Sequence, residues 1–172
     1  MKNIFLIGFM GTGKSTVARN MKRRYHTEIL EMDETIEERE GMKISDIFSQ
    51  KGELYFRDLE TELLEEIQEK DNIVVSCGGG VVLRKENIEL MKKNGYIVLL
   101  TASPETILKR VRNDENRPLL KGKKSVEAIR ELMETRREKY ESAADIQICV
   151  DHTDSRKVCT EIINRIERLE EK

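Results

Sequence analysis

Gly8-Phe9-Met10-Gly11-Thr12-Gly13-Lys14-Ser15 decides the reading of this chain. The stretch matches GxxxxGK[ST]. It follows an apolar run at residues 4–7 and opens into a helical pattern carrying Val17 and Met21, the strand, turn and helix context in which this motif binds phosphate. Glycines let main-chain N–H groups turn inward around phosphate oxygens, and the helix N-terminus adds its partial positive charge. Lys14 is placed to reach the β and γ phosphates, and Ser15 to offer a hydroxyl to Mg2+.

Outward from the loop, short apolar runs alternate with longer amphipathic ones. The run at residues 4–7 is apolar at every position, which suits a strand covered on both faces in a parallel sheet. Similar runs occupy residues 29–32, 73–77, 96–100 and 146–150, giving five expected strands. Between them, Phe56, Leu59, Leu63 and Ile67 repeat at helical spacing, as do Val158, Ile162, Ile166 and Leu169. Ser103-Pro104-Glu105 is a helix start, with a hydroxyl N-cap, proline at the first helical position and an acid favoured by the dipole. This alternation predicts a doubly wound α/β domain with ligands at the carboxyl ends of the strands.

The chain's 172 residues fit a single domain. A net charge of -2 supplies no global field for nucleic acid or an anionic membrane, so an anion site has to be local. The longest apolar run, residues 4–10, is far shorter than the roughly 20 residues of a membrane span. The start, Met1-Lys2-Asn3, has no secretory cleavage pattern, and a cytoplasmic location is expected. Cys77, Cys149 and Cys159 are odd in number and far apart, which fits reduced thiols and no zinc site.

Neither the third nor the fourth expected strand ends in an acid. The carboxylates available near the phosphate loop are therefore Glu31 and Asp33, one toward the metal and one toward an acceptor hydroxyl; Asp33 reads equally as a helix N-cap before Thr35. Val126, Ile129, Met133, Arg136 and Tyr140 step by three and four, so Arg136 occupies an otherwise apolar stripe, either as a structural ion pair or as a ligand contact. Arg57 and Glu60 stand three apart on one helix and can pair, which leaves the other edge of the guanidinium for an anion. Two such arginines suggest a small acid as second ligand. Gly78-Gly79-Gly80 directly follows the third strand, either as a flexible turn or as main chain closely approached by a ligand. Residues 113–124 are polar and lack a helical period, and read as a lid or a plain surface loop. His26 and His152 read as surface or loop residues.

Taken together, the order and spacing of GFMGTGKST at 8–16, Glu31-Met32-Asp33, GELYFRDLE at 52–60, SCGGG at 76–80, RPLL at 117–120 and METRREKY at 133–140 resemble the shikimate kinase family over nearly the whole chain. The resemblance implies a single-domain α/β P-loop kinase of the nucleoside monophosphate kinase type. Its five-stranded parallel sheet would run in the order 2-3-1-4-5, flanked by helices, with a mobile lid at about 113–124. It implies transfer of the ATP γ-phosphoryl group to the 3-hydroxyl of shikimate on the route to chorismate and the aromatic amino acids; a related small-molecule or nucleoside monophosphate kinase is the alternative. Position by position, it assigns ATP to Gly11, Thr12, Gly13, Lys14, Ser15, Thr16, Arg110 and Arg117. It assigns shikimate to Asp33, Arg57, Gly78, Gly79, Gly80 and Arg136, with Phe48 and Phe56 as pocket wall. Asp33, Lys14 and Arg117 are the expected catalytic groups. Mg2+ is expected at Ser15 and, through water, at Glu31, which is one methylene longer than the aspartate common at that position. Shikimate and ATP are the expected partners of a monomer. The adenine loop expected at residues 150–158 lacks the family's usual proline.

Overall fold

β1 (Asn3–Ile7) runs through the middle of the molecule, with every residue buried. Each fully buried Ile, Leu or Phe stabilises the fold by about 1.5–3 kcal/mol relative to exposure, and Ile4, Phe5, Leu6 and Ile7 are all wholly covered. The computed structural model describes residues 1–112 and 125–172. The expected lid at 113–124, and Arg117 with it, lie outside the described residues.

Among the described residues, β1 leads into α1 (Lys14–Tyr25), β2 (Glu28–Glu31), α2 (Met32–Glu40), α3 (Ile44–Lys51) and α4 (Glu53–Ile67). Then follow β3 (Ile73–Ser76), a single 3-10 turn (Val81–Leu83), α5 (Lys85–Asn94), β4 (Gly95–Thr101), α6 (Pro104–Val111), α7 (Val126–Ala143), β5 (Ile146–Cys149) and α8 (Ser155–Glu170). The strands form one parallel sheet in the order β2-β3-β1-β4-β5, as expected, with Ile4 opposite Val74 on one side and Tyr96 on the other. Because β1 is central, the turn that leaves it lies between the carboxyl ends of β3 and β4. α1 packs on α8, α4 on α5 and α6 on α7.

The elements begin and end where local chemistry directs. Ser103 Oγ accepts from Thr106 N at 3.2 Å with Pro104 in the first turn of α6, as the sequence indicates. Lys22, Arg23 and Arg24 occupy the last turn of α1, facing the negative end of its dipole. Two expectations need correction. Asp33 is not an N-cap: α2 starts one residue earlier, Glu31 holds the cap position, and Asp33 stands in the first turn. The edge strand β5 is not covered on both faces, since Ile146 and Ile148 are buried while Gln147 and Cys149 are exposed. One face of β5 looks outward, so its side chains alternate between buried and exposed.

Asn3 is a polar residue in this apolar layer, and it is fully buried. Its Nδ2 donates to Lys70 O at 2.7 Å and its Oδ1 accepts from Ile73 N at 3.1 Å, which ties the start of β1 to the start of β3. Asn3→Ala leaves the buried Ile73 N–H without its acceptor, while Lys70 O still accepts from Asn94 Nδ2 at 3.0 Å. Its unfolding free energy in urea titration is expected to fall by about 1–3 kcal/mol with the slope unchanged.

Candidate active site

The phosphate loop leaves β1 through Gly8 and enters α1 through Gly13, whose φ of 92° and ψ of 22° are left-handed. This conformation is open to glycine and strained for other residues. The first turn of α1 contains no acid, so its unsatisfied N–H groups and positive dipole end are unopposed. Lys14 Nζ donates to Gly8 O at 2.7 Å and Phe9 O at 3.1 Å, which holds the ammonium across the loop. Thr12 Oγ1 donates to Phe9 O at 3.0 Å and braces the same turn. Arg110 reaches over from α6, its Nη1 donating to Gly11 O at 3.0 Å.

Ser15 Oγ donates to Glu31 Oε2 at 2.9 Å and lies 3.5 Å from Ser76 Oγ, so the first turn of α1 meets the ends of β2 and β3 at one point. A cleft of about 550 Å3 opens over this point. Residues 10–17, with Glu31, Asp33, Ser76 and Gly79, form one part of its wall, and Val150, Thr153, Ser155 and Val158 another. The segment expected near the adenine therefore faces the same cleft as the phosphate loop. Thr16 lines it from an exposed position.

Next to Gly79, beyond the lining of that cleft, the expected acid-binding residues come together. Arg57 and Arg136 are 7% and 8% exposed, and Glu60 is fully buried. Arg57 Nη1 donates to Glu60 Oε1 at 2.7 Å and its Nη2 to Glu53 Oε1 at 3.1 Å. The guanidinium also lies over the rings of Phe56, at 5.3 Å, and Phe48, at 5.8 Å, which pack on each other with centroids 5.0 Å apart. A Cβ at Gly80 would overlap the Arg57 guanidinium, and one at Gly79 would lie 3.5 Å from Arg136 Nη1. One at Gly78 would come within 2.6 Å of Glu60 Oε2 and 2.9 Å of Asp33 Oδ1. Gly78 and Gly80 are thus pressed against Glu60, Asp33 and Arg57, whereas a Cβ at Gly79 would make ordinary van der Waals contact with Arg136.

Periodicity placed Tyr140 in the apolar stripe, but its hydroxyl donates to Gly79 O. Burial holds that phenol above its ordinary pKa, against the pull of neighbouring Arg136, so it stays a donor. The partner is 61 residues away in sequence, and no local pattern signals it. Cys77 is also buried, and desolvation raises its thiol well above the usual range, which leaves it a packing residue.

Burial pushes Glu60 up to about 7, against the opposing charge and hydrogen bond of Arg57, and the nearby Asp33 carboxylate adds to the rise. A carboxyl raised in the folded state stabilises the fold in its protonated form, and that contribution is lost as pH rises through about 7. The unfolding free energy of the wild type is expected to fall relative to Glu60→Gln as pH rises from about 4.5 to about 7, by about 1.4 kcal/mol per pH unit at most. Urea titrations of both proteins at half-unit pH steps check this; parallel curves would contradict the raised carboxyl.

Comparison with known proteins adds to this geometry. Residues 10–167 match the family model described as shikimate kinase. The chain is 46% identical to a shikimate kinase of Sulfurihydrogenibium sp. over 168 residues, 98% of this chain and 99% of that one. It is 43% identical to a shikimate kinase of Persephonella marina, covering 96% and 99%. The structure of the Acinetobacter baumannii shikimate kinase in complex with shikimate superposes with a TM-score of 0.93 at 33% identity, covering 100% of this chain and 96% of that one. A gluconokinase from Sinorhizobium meliloti, at 19% identity and a TM-score of 0.62, shares the fold alone. With both sequence and fold matched from end to end, the chain belongs to the shikimate kinase family.

Proposed function

We propose that this chain transfers the γ-phosphoryl group of ATP to the 3-hydroxyl of shikimate, giving shikimate 3-phosphate and ADP. The observation that carries the reading is the pairing of a phosphate loop with two buried arginines, Arg57 and Arg136, beside a glycine turn. A phosphate loop alone serves any nucleotide; two desolvated guanidinium groups next to it ask for a second, carboxylate-bearing ligand.

Phosphoryl transfer needs alignment and charge stabilisation more than covalent chemistry. In this reading the main chain of residues 8–16 holds the triphosphate, and Lys14 moves from its loop carbonyls to the β and γ oxygens. Arg57 and Arg136 bind the acceptor's carboxylate, while Gly78, Gly79 and Gly80 allow its ring to approach the main chain. Asp33, beside Gly78, accepts the hydrogen bond of the attacking hydroxyl and holds its oxygen in line with the γ phosphorus. As the new P–O bond forms and the bond to ADP breaks, the hydroxyl proton passes to Asp33. Arg117 adds positive charge to the phosphates, on the strength of the sequence motif alone, and Arg110 lies toward the adenine end of ATP.

A magnesium ion fits the donors present. Ser15 Oγ and Glu31 Oε2 are hard oxygens 2.9 Å apart, and magnesium keeps several waters while taking few protein ligands. Ser15 would hold the ion and Glu31 would reach it through water. When bound, it neutralises charge on the β and γ phosphates. Among the described residues, no helix is long and apolar enough to cross a membrane; we take the enzyme to act in the cytoplasm as a monomer.

Coupled ADP-release assays with shikimate, gluconate and AMP in parallel test the acceptor. Turnover is expected with shikimate, and turnover only with gluconate or AMP would overturn the assignment. With shikimate, Lys14→Ala and Asp33→Asn are each expected to lower kcat by roughly 10²-fold or more. Arg136→Ala should instead raise the shikimate KM by about tenfold or more with little change in the ATP KM. An Arg136→Ala enzyme with an unaltered shikimate KM would remove that arginine from the carboxylate site.

A further inference from the structure

Thr61 and Asn87 are buried polar residues that do not face the cleft, 5% and 0% exposed. Thr61 lies on α4, one residue past Glu60 and four past Arg57. Its Oγ1 is 2.7 Å from Asn87 Oδ1 in the first turn of α5 and 3.2 Å from Arg57 O; a hydroxyl has one proton, and the shorter contact takes it. Asn87 Nδ2 in turn donates to Val81 O at 2.9 Å, immediately after the glycine turn. From the rim, Arg84 Nη1 donates to Thr61 Oγ1 at 3.2 Å while its Nη2 pairs with Asp58 Oδ1 at 2.8 Å. A continuous bridge therefore joins the helix bearing Arg57 and Glu60 to the main chain that follows Gly80.

The bridge spans the gap where tolerance is least. The Arg57 guanidinium rests on Gly80 so closely that a Cβ there would overlap it, so any change in the spacing between α4 and the glycine turn moves the guanidinium. The cap residue at the N-terminal end of α4 is Gly52, and no side-chain hydrogen bond caps that end. Folding alone does not require the bridge, since apolar groups of the same shape fill such a space about as well as a hydrogen-bonded pair. Buried hydrogen bonds supply direction and distance where apolar packing does not.

We propose that Thr61 and Asn87 are positioning residues for the acid-binding half of the site, setting the distance and angle at which Arg57 meets the acceptor's carboxylate. The inference rests on the shikimate-phosphorylating reading and adds two residues to it that touch neither substrate. Small misplacements of a binding group cost up to about 10²-fold when they reach 1 Å, and loss of one bridging bond displaces less than that.

The test compares wild type, Thr61→Val, Thr61→Ser and Asn87→Asp by steady-state kinetics with both substrates varied, alongside thermal unfolding. Thr61→Val keeps the shape and removes the hydroxyl; Asn87→Asp keeps the acceptor for Thr61 and removes the donor to Val81 O. Each is expected to raise the shikimate KM about tenfold with the ATP KM within about twofold, and Thr61→Ser to stay within about twofold of wild type on both. The bridge is overturned if Thr61→Val and Asn87→Asp leave the shikimate KM unaltered, if they raise both KM values alike, or if Thr61→Ser is as impaired as Thr61→Val. A variant that loses thermal stability while keeping its shikimate KM also counts against positioning. Wild type that turns over shikimate beside unaltered variants defeats the bridge alone. Wild type that does not turn over shikimate defeats the functional reading and the bridge together.

Discussion

The main chain leaving β1 has to turn directly against the carboxyl end of β4, where a Cβ on Gly8 would run into Leu100 O. A residue with φ of 146° and no side chain satisfies that constraint, and the rest of the site is arranged around the turn it permits. Because β1 is the central strand, the loop that follows is flanked by what leaves β3, namely Ser76 and the glycines, and, one strand further, by Glu31 at the end of β2. The contacts of Ser15 with Glu31 and Ser76 are the direct expression of this strand order. Crossover connections that return each strand parallel to the last place every carboxyl end on the same side, so residues far apart in sequence converge there without any long loop.

Charge burial beside the glycine turn is costly for the fold and informative about the ligand. Ion pairs removed from water recover their desolvation only with good geometry and satisfied partners. Arg57 meets that condition in part, through Glu60, Glu53 and two aromatic rings. Glu60 does not, since its Oε2 is buried without a hydrogen-bond partner. A carboxyl pushed up to about 7 holds a proton for part of the time at neutrality. Whenever it does, the charged carboxylates left around Arg57 and Arg136 are Glu53 and Asp33, and the cluster has lost one negative charge. That loss favours the anionic acceptor proposed above, so the same burial that weakens the empty site would help to fill it.

Much of this was legible in the sequence, and the buried polar contacts that were not depend on partners distant along the chain. The phosphate loop lies within nine consecutive residues, 8–16, and the Arg57–Glu60 pair is one helical turn apart, so short windows contain both. Central strands read correctly as unbroken apolar runs. The boundary of β2 did not, because Met32 is apolar and fully buried but belongs to the helix that follows. α3 was absent from the sequence reading, although Ile44, Ile47 and Phe48 carry its spacing and Gly52, with φ of 88°, ends it. Tyr140, Thr61 and Asn87 show no signal of their own. Their partners lie 61 and 26 residues away in sequence, and a buried hydroxyl or amide in an apolar stripe looks like ordinary helix until the fold supplies its acceptor.

The two halves of the site differ in how they are built, and that difference explains why one is a motif and the other a pattern. Phosphate recognition, as proposed, would use main-chain groups of one continuous segment anchored to the most buried strand, with Arg110 laid over that segment. Its geometry is fixed once β1 and α1 are in place, and side-chain identity matters at few positions. Acid recognition, as proposed above, would draw Asp33 from α2, Arg57 and Glu60 from α4, the glycines from the turn after β3 and Arg136 from α7. Four separately packed pieces hold those groups, and each joint between pieces can shift the arginines relative to the glycines. On this proposal the acceptor's fit depends on buried polar bridges between elements, whereas the grip on phosphate depends on the backbone of one.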